Sequence, residues 1–479
     1  MLVNPLILQK DPVEAKLMTP YFPLGILYVA GVLREDGYDV AIFDAMFTEG
    51  EEDFLITLKR EKPKVVGFSV LATVRRSALR MAAMAKEYGA VVIVGGADPT
   101  ARPAFYLNYQ ADGQFVVDIV SVGESEAIIR ELMPLLLTDK TRARNLSNIQ
   151  GVAYRDPAGQ VITTSRCGLI KDIDVLPYPA RDLINWDLYQ KAWRGKHGFF
   201  AMSIIATRGC PFNCSWCQRV VFGRSFRPRD PENVAGEFRH LKDFYKPDFI
   251  RIVDDAMGIQ KDWVKKWRDA VLEKDAVIPF ECLSRADLLD AEIVGWLKDA
   301  GCRRIALGAE SGSQKILDLM HKGFKVEQIY QAAKLCHQAG IETYFYMMVG
   351  YPGETWEDLK LSVKMLRETQ PDIFSTTIAY PLPGTTFFEQ VKDRLPAGED
   401  MSDWDYTAEN RLLFQCGKFN TAFYRQVISW FHHEWEYAWL KAGKPSSFKN
   451  HLKTRLALWR NRLILFLLLQ KEKMCKERE

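Results

Sequence analysis

The sequence predicts an α/β protein in three parts. A doubly wound, Rossmann-like domain comes first, a second α/β domain of six strand–helix units follows, and a helical region closes the chain. Two observations carry this. Before residue 145, β-branched runs such as Val65–Val70 and Val91–Val94 alternate with amphipathic stretches. That is the pattern of parallel strands buried on both faces and joined by crossover helices. After residue 200 the alternation resumes six times, and the first of these strands runs straight into three closely spaced cysteines.

A chain of 479 residues has room for two or three domains. An apolar content of 48% with 26% charged residues is that of an ordinary globular protein. The net charge of +3 argues against a dedicated nucleic-acid binder. The chain opens Met-Leu-Val-Asn-Pro and enters an apparent strand, so no signal peptide is read. No apolar run reaches the ~18 residues of a transmembrane helix. The expected compartment is the cytoplasm.

In the first domain, expected over residues 1–145, strands are predicted at Val3 with Leu6–Leu8, Val40–Phe43, Val65–Val70, Val91–Val94 and Val116–Val122. Helices are predicted at Leu24–Arg34, before Gly89, and from Glu124 onward. Ligands of doubly wound sheets bind at the carboxyl ends of the strands. Asp44, Ser69, Gly95-Gly96 and Gly123-Glu124 fall there. Gly95-Gly96 permits a ligand to approach the backbone, or simply makes a tight turn. The connector, residues 146–200, reads as a hairpin turning at Asp156–Gly159, then a proline-rich extended stretch, Asp174–Asp182, fit to drape over a domain junction. Trp186, Tyr189 and Trp193 read as packing residues or as the cover of a pocket.

The second domain is expected over residues 201–392. Its strands are predicted at Ser203–Ala206, Phe249–Val253, Pro279–Leu283, Arg304–Leu307, Thr343–Val349 and Ile373–Ala379. Polar and glycine-rich stretches follow each one, where α/β barrels carry their chemistry. The C-terminal region, residues 393–479, is rich in aromatics, among them Trp404, Tyr406, Phe414, Phe423, Trp430 and Trp435, and reads as helical from Tyr424. Adjacent His432 and His433 point in different directions on a helix and read as ordinary helix residues. Leu463–Leu469 is an apolar run flanked by Arg460, Arg462, Lys471 and Lys473. Too short to span a bilayer, it fits a membrane interface or a partner helix.

The chemistry centres on Cys210, Cys214 and Cys217, spaced C-x-x-x-C-x-x-C. An odd number of cysteines in a long chain without a secretory signal disfavours a disulfide framework. Structural zinc takes four protein ligands, and no fourth Cys or His lies nearby. Three thiolates suit a cubane iron–sulfur cluster with one iron left open to a small molecule. The other six cysteines, Cys167, Cys282, Cys302, Cys336, Cys416 and Cys475, are scattered and read as small buried residues.

This motif, with Trp216 before its third cysteine, resembles that of the radical S-adenosylmethionine enzymes, and the resemblance extends over residues 200–390. It implies an open (β/α)6 radical SAM barrel, a 4Fe–4S cluster on Cys210, Cys214 and Cys217, and S-adenosyl-L-methionine on the open iron. It also implies ligand roles at the strand ends. Arg285 is expected to pair a carboxylate, Glu310 to accept from an ammonium or ribose hydroxyls, Ser284 and Ser311 to assist, and the Gly350–Glu354 loop to offer backbone groups. Asp254 and Asp255 stand evenly between ligand contact and capping. Arg208 and Arg219 are candidates for balancing the cluster's charge, and the run Arg224–Arg229 reads either as a shield for the cluster or a seat for a reductase, or as a solvated basic loop.

The first domain, with Ser69, Gly95, Gly96, Gly123 and Glu124 at its strand ends and Pro23–Gly31 at its first helix, resembles the cobalamin-binding domain that precedes many of these enzymes. It departs from the pattern of the mutases in one respect. No histidine precedes His197, so bound cobalamin would receive no imidazole from this domain. The two domains together resemble the group of the anaerobic magnesium-protoporphyrin monomethyl ester cyclase and the hopanoid methylases. That resemblance implies a cobalamin-dependent enzyme that functionalises an unactivated carbon, most readily by C-methylation. The alternatives are cyclisation or hydroxylation of a tetrapyrrole-like substrate, and a non-catalytic cobalamin or iron–sulfur regulator. The expected partners are a small, flat or apolar substrate and an electron donor such as flavodoxin or ferredoxin, with no nucleic acid and with peripheral membrane contact through the C-terminal helix.

Overall fold

The computed structural model describes residues 1–138, 146–394, 419–443 and 448–476. Trp404, Tyr406, Phe414 and Cys416 lie outside the described residues. The first sheet has seven strands: β1 (Leu2–Asn4), β2 (Ile42–Asp44), β3 (Val65–Ser69), β4 (Val91–Gly95), β5 (Ile119–Ser121), β6 (Val152–Arg155) and β7 (Val161–Thr163), in the order β2-β1-β3-β4-β5-β6-β7. The first five are parallel, and β4 is buried along its whole length between helical layers. The order reverses between β1 and β3, which opens a crevice there.

Two details differ from the sequence reading. Leu6–Leu8 does not continue β1. Pro5 cannot donate to a strand ladder, and the chain turns instead through a 3-10 helix at Leu8–Lys10. The hairpin turns where predicted, with Gln160 N donating to Asp156 Oδ1 at 2.8 Å. It is not a free connector, however, because β6 pairs antiparallel with β5 and extends the first sheet.

The second sheet is all parallel and runs in chain order: β8 (Ala201–Ile204), β9 (Phe249–Met257), β10 (Phe280–Ser284), β11 (Cys302–Glu310), β12 (Glu342–Val349) and β13 (Ile373–Ile378). β8 and β13 do not pair, so the barrel is open on one side. Several of its helices start on capping residues that the sequence supplies. Asp230 accepts from Glu232 N ahead of Pro231, Asp290 accepts from Ile293 N, and Thr355 with Asp358 forms a capping box.

The proline-rich stretch lies between the domains. Ala180 N donates to Leu27 O at 3.0 Å, and Arg181 donates to Ser203 O and pairs with Glu237. A Cβ on Gly31 would come within 3.1 Å of Pro177, so this glycine is needed for the close approach of the connector. Tyr189 and Trp193 are buried between the domains. Tyr189 stacks on Phe22 and donates to Asp44, and Trp193 donates to Pro20 O. At the C-terminus, helix Thr421–Lys441 packs on the barrel through Phe423, Tyr424, Trp430 and Phe431, and helix Phe448–Lys476 packs on it in turn. His432 stacks on Phe374 with one side exposed, and its partial burial, with His433 beside it, lowers its pKa.

Candidate active site

A cleft runs along one face of the first sheet, over β1 and β3, from Met1, Val40 and Val65 at the amino ends of the strands to Ser69 and Gly95 at their carboxyl ends. It encloses about 1100 Å³, open solvent included. Its walls are mostly apolar: Ile26, Val29 and Leu33 from the first long helix, Ile129 and Met133 from helix Ser125–Thr138, and Phe68 and Ile93 from the sheet. Ser69, Gly95, Gly96 and Gly123 line it, as their positions at strand ends predict. Gly96 has φ +104° and lies against β3, where a Cβ would meet Val70 O at 2.7 Å. Gly25 and Gly123 also line the cleft, and a Cβ on either would project into open space. The void is therefore made by missing side chains. Its far wall belongs to the barrel: Ile205, Arg208, Val221 and Phe222, residues on both sides of the cysteine motif.

The cysteines leave β8 at its carboxyl end. Gly209, φ +84°, admits the turn, since any Cβ there would collide with Ser225 O. Cys210 and Cys214 are buried and Cys217 is half-buried, and none is in a disulfide. Loops from three later strands hold the motif. Ser215 N donates to Met320 O, Ser215 and Tyr351 share a hydroxyl–hydroxyl hydrogen bond of 2.6 Å, Phe387 N donates to Ser215 O, and Gln218 donates to Pro383 O. Arg285 Nη1 lies 3.5 Å from Cys214 Sγ, and its guanidinium stacks 3.6 Å from the Phe212 ring. Burial raises the Cys210 thiol and takes Cys217 to about 12, with Asp255 adding to both. Without a metal these groups are thiols, and binding iron must displace their protons.

The side chains expected to bind ligand are largely satisfied by the protein. Arg285 spans Asp287 with two hydrogen bonds of 3.0 Å and donates to Lys322 O at 2.5 Å. Glu310, in the left-handed region at φ +59°, pairs with Lys322 at 3.2 Å, both 4% exposed. Gly308 leaves room for that pair, because a Cβ there would press on both partners. Ser284 donates to Met257 O, and Ser311 bonds Ser362 and accepts from Ser313 N. Gly350 N donates to Glu354 Oε2 at 2.6 Å, while Glu354 Oε1 is buried without a partner; burial raises this carboxyl to about 8. Asp254 caps the turn before the cysteines by accepting from Ala206 N and Thr207 N.

Two arginines near the motif, Arg208 and Arg227, join the domains rather than facing solvent. Arg208 pairs with Glu124 at 3.1 Å and Glu126 at 2.6 Å, and Arg227 pairs with Glu124 at 2.8 Å. Glu124 also accepts from Ile170 N. It is therefore an interdomain anchor and not one of the residues lining the cleft. Arg229 pairs with buried Glu237. The run Arg224–Arg229 is thus no solvated basic loop: Arg227 and Arg229 are buried and Arg224 alone among its arginines is exposed. Sequence reasoning missed this knot, since nothing in the chain links residue 124 to residues 208 and 227.

It also missed the barrel lumen. Cross-strand neighbours on β9 to β12 form a chain of ion pairs, Arg251–Glu281–Arg304–Glu342. Next along the strands come Val253, 43% exposed between two buried neighbours, and then Leu283, Ala306 and Tyr344. The Tyr344 and Tyr346 rings are 4.7 Å apart. Tyr21, from the segment after β1, reaches in under Arg251, 4.7 Å from ring centre to guanidinium.

Residues 204–366 match the radical SAM superfamily, and residues 11–133 match the B12-binding domain. An uncharacterised methyltransferase of Pyrococcus horikoshii is 28% identical over 82% of this chain and 79% of its own length. The anaerobic magnesium-protoporphyrin IX monomethyl ester cyclase of Rubrivivax gelatinosus is 29% identical over 78% of this chain and 67% of its own. Among solved structures, the cobalamin-dependent S-adenosylmethionine radical enzyme OxsB aligns with a TM-score of 0.73 at 19% identity, covering 98% of this chain and 71% of that one. The methyltransferase TsrM from Kitasatospora setae aligns at 0.67 and 18%, covering 83% and 76%. The chain thus carries a radical SAM domain over residues 204–366, with a B12-binding domain over residues 11–133 ahead of it. It is an enzyme whose cofactors are a 4Fe–4S cluster, S-adenosylmethionine and cobalamin.

The residues present fit these groups. The donor set offers three thiols from one loop. No group of three or more His, Cys, Asp or Glu among the described residues is arranged for a single metal ion. A cubane, with each thiolate on a different iron, sets its ligands farther apart than one ion does. The cleft supplies an apolar, glycine-lined cradle open to the cysteine segment. Among the described residues lining it there is no histidine.

Proposed function

We propose that this protein is a cobalamin-dependent radical SAM methyltransferase acting on an unactivated carbon of a small, apolar or flat molecule. One observation carries the reading. The cleft of the B12-binding domain is closed by the segment that bears Cys210, Cys214 and Cys217, so both cofactor sites share one wall. When bound, the cluster with S-adenosylmethionine supplies a hydrogen-abstracting radical, and cobalamin supplies a methyl group. The difficult chemistry belongs to the cofactors, and the protein binds, orients and dries the site.

In this reading Cys210, Cys214 and Cys217 hold the cluster, and Arg285, fixed by Asp287, places positive charge against Cys214. Ser69, Gly95, Gly96, Gly123 and Gly25 form the cobalamin cradle. Glu310 with Lys322, and the Gly350–Glu354 loop, shape the S-adenosylmethionine site, with Ser284 and Ser311 bracing the loops behind it. Val253, Leu283, Tyr344 and Tyr346 receive the apolar body of the substrate above the ion-paired floor. The first domain takes in the hairpin that ends at Thr163, a connector follows to residue 200, the barrel runs to 392, and the helical region lies beyond. An electron donor of the flavodoxin or ferredoxin class completes the turnover.

The test is anaerobic reconstitution with iron, sulfide and cobalamin, followed by measurement of S-adenosylmethionine products. Formation of both 5′-deoxyadenosine and S-adenosylhomocysteine is expected. Deoxyadenosine without homocysteine product would replace methylation with cyclase-like chemistry, and absence of both would leave a binding protein.

A further inference from the structure

The last helix, Phe448–Lys476, has two apolar faces, and only one of them is used. Leu458, Asn461 and Leu465 are buried on the first. Asn461 there bonds Gln426 and Ser429 of helix Thr421–Lys441, and Arg462 at its edge pairs with Glu434. On the opposite face Leu456, Trp459, Leu463, Phe466 and Leu467 are each between 41% and 67% exposed. At 100° per residue these five fall within one arc of about 100°. Exposed Arg455 and Arg462 border that arc on one side, and exposed Lys453 and Arg460 on the other. The sequence from Phe448 to Gln470 contains no Asp or Glu.

An apolar stripe carrying a tryptophan, with a cationic margin on both flanks and no acid, is complementary to a surface that is apolar within and anionic at its rim. No helix of the described residues is long and apolar enough to cross a membrane. We infer that this face of the C-terminal helix lies in the plane of an anionic phospholipid surface, with Trp459, Leu463 and Phe466 among the acyl chains and Lys453, Arg455 and Arg460 at the phosphates. A second copy of the chain is the poorer occupant, because a symmetric pairing of this face would bring the cationic margins together without a counter-charge.

The anaerobically reconstituted full chain is sedimented with vesicles of phosphatidylcholine alone, or of phosphatidylcholine with about 30% phosphatidylglycerol. Binding to the anionic vesicles is expected to exceed binding to the neutral ones at least tenfold and to weaken in about 0.5 M salt. The double variant Trp459→Glu, Phe466→Glu is expected to lose at least tenfold of that binding while keeping its iron–sulfur absorbance. Should it lose the absorbance, Arg455→Glu with Arg460→Glu, which alters only exposed margin residues, must produce the same loss. Equal binding to both vesicle types, undiminished binding by the variants, or a dimer in sedimentation that the Trp459 and Phe466 changes dissolve would overturn the inference. The assignment of the cofactor sites stands or falls separately, on the product assay above.

Discussion

The two halves of the site are built on opposite plans. The first domain offers space by omission: its cleft is apolar, Gly25 and Gly123 stand where side chains would enter it, and Gly95 and Gly96 let neighbouring segments of the sheet pack closely behind it. The barrel mouth is crowded with polar side chains, and nearly all of them already have protein partners. Residues singled out by chemical type, such as Ser284 or Arg285, thus brace the loops. The space for a ligand is marked instead by residues with little chemistry of their own. A large, mostly apolar cofactor needs volume and a close backbone, whereas a small charged one needs donors held rigid before it arrives.

The contrast can be broken at its strongest point first. Replacing Cys210, Cys214 or Cys217 singly with Ala should abolish the iron–sulfur absorbance and both products while leaving cobalamin retention intact, because the glycine cradle does not depend on the thiolates. Loss of cobalamin as well would mean that the cleft relies on the cluster loop more heavily than its lining indicates.

Next comes the knot between the halves. Arg208→Met leaves Glu124 and Glu126 buried with less compensation and should cost about 3–5 kcal/mol in chemical denaturation. Adding Glu126→Gln should recover part of that loss. A cost under about 1 kcal/mol would be that of a solvent-screened pair and would argue against a buried interdomain anchor.

Gly25 sharpens the first half of the contrast. A side chain there meets no protein atom within 4 Å and enters the cleft. Gly25→Phe should weaken cobalamin retention about 100-fold, near 2.7 kcal/mol, with cluster content unchanged. Gly25→Ala should bind nearly as before and gain roughly 0.4–1 kcal/mol of stability from its helical position. Equal retention by the Phe variant would remove the cleft from the cobalamin assignment.

Glu354 gives a pH-dependent effect comparable to that of Gly25→Phe. Burial lifts its folded pKa to about 8 from an ordinary 4.5. The folded state then holds a proton that the unfolded state releases, so its contribution is fullest below 4.5 and is lost as pH rises toward 8. The slope is about 1.4 kcal/mol per pH unit. Denaturant midpoints at pH 5.5 and 7.5 should differ in the wild type, and the difference should shrink in Glu354→Gln. Parallel pH profiles would show that Glu354 is ionised in the fold.

Much of this was legible in the chain, for reasons that differ by region. The strands at Val65–Ser69 and Val91–Gly95 announce themselves because a parallel strand buried on both faces must be continuously apolar. The hairpin at residues 152–163 was readable as a hairpin but not as part of the first sheet, since its partner β5 lies about thirty residues upstream. His432 and His433 are helix residues, as their adjacency implies, and His432 stacks on Phe374. The place of Glu124 after a strand predicts a ligand residue, whereas two arginines from the next domain claim it.

Sequence alone determined what is local and periodic: the alternation that defines both α/β domains, the capping residues, and the cysteine spacing that allows one loop to present three thiols. Tertiary structure alone decided which polar groups remain available. Whether Arg208 balances a cluster or locks two domains depends on carboxylates more than eighty residues away. Burial makes leaving such charges unpaired too costly, so partners are chosen by proximity in space, which no local pattern in the chain records.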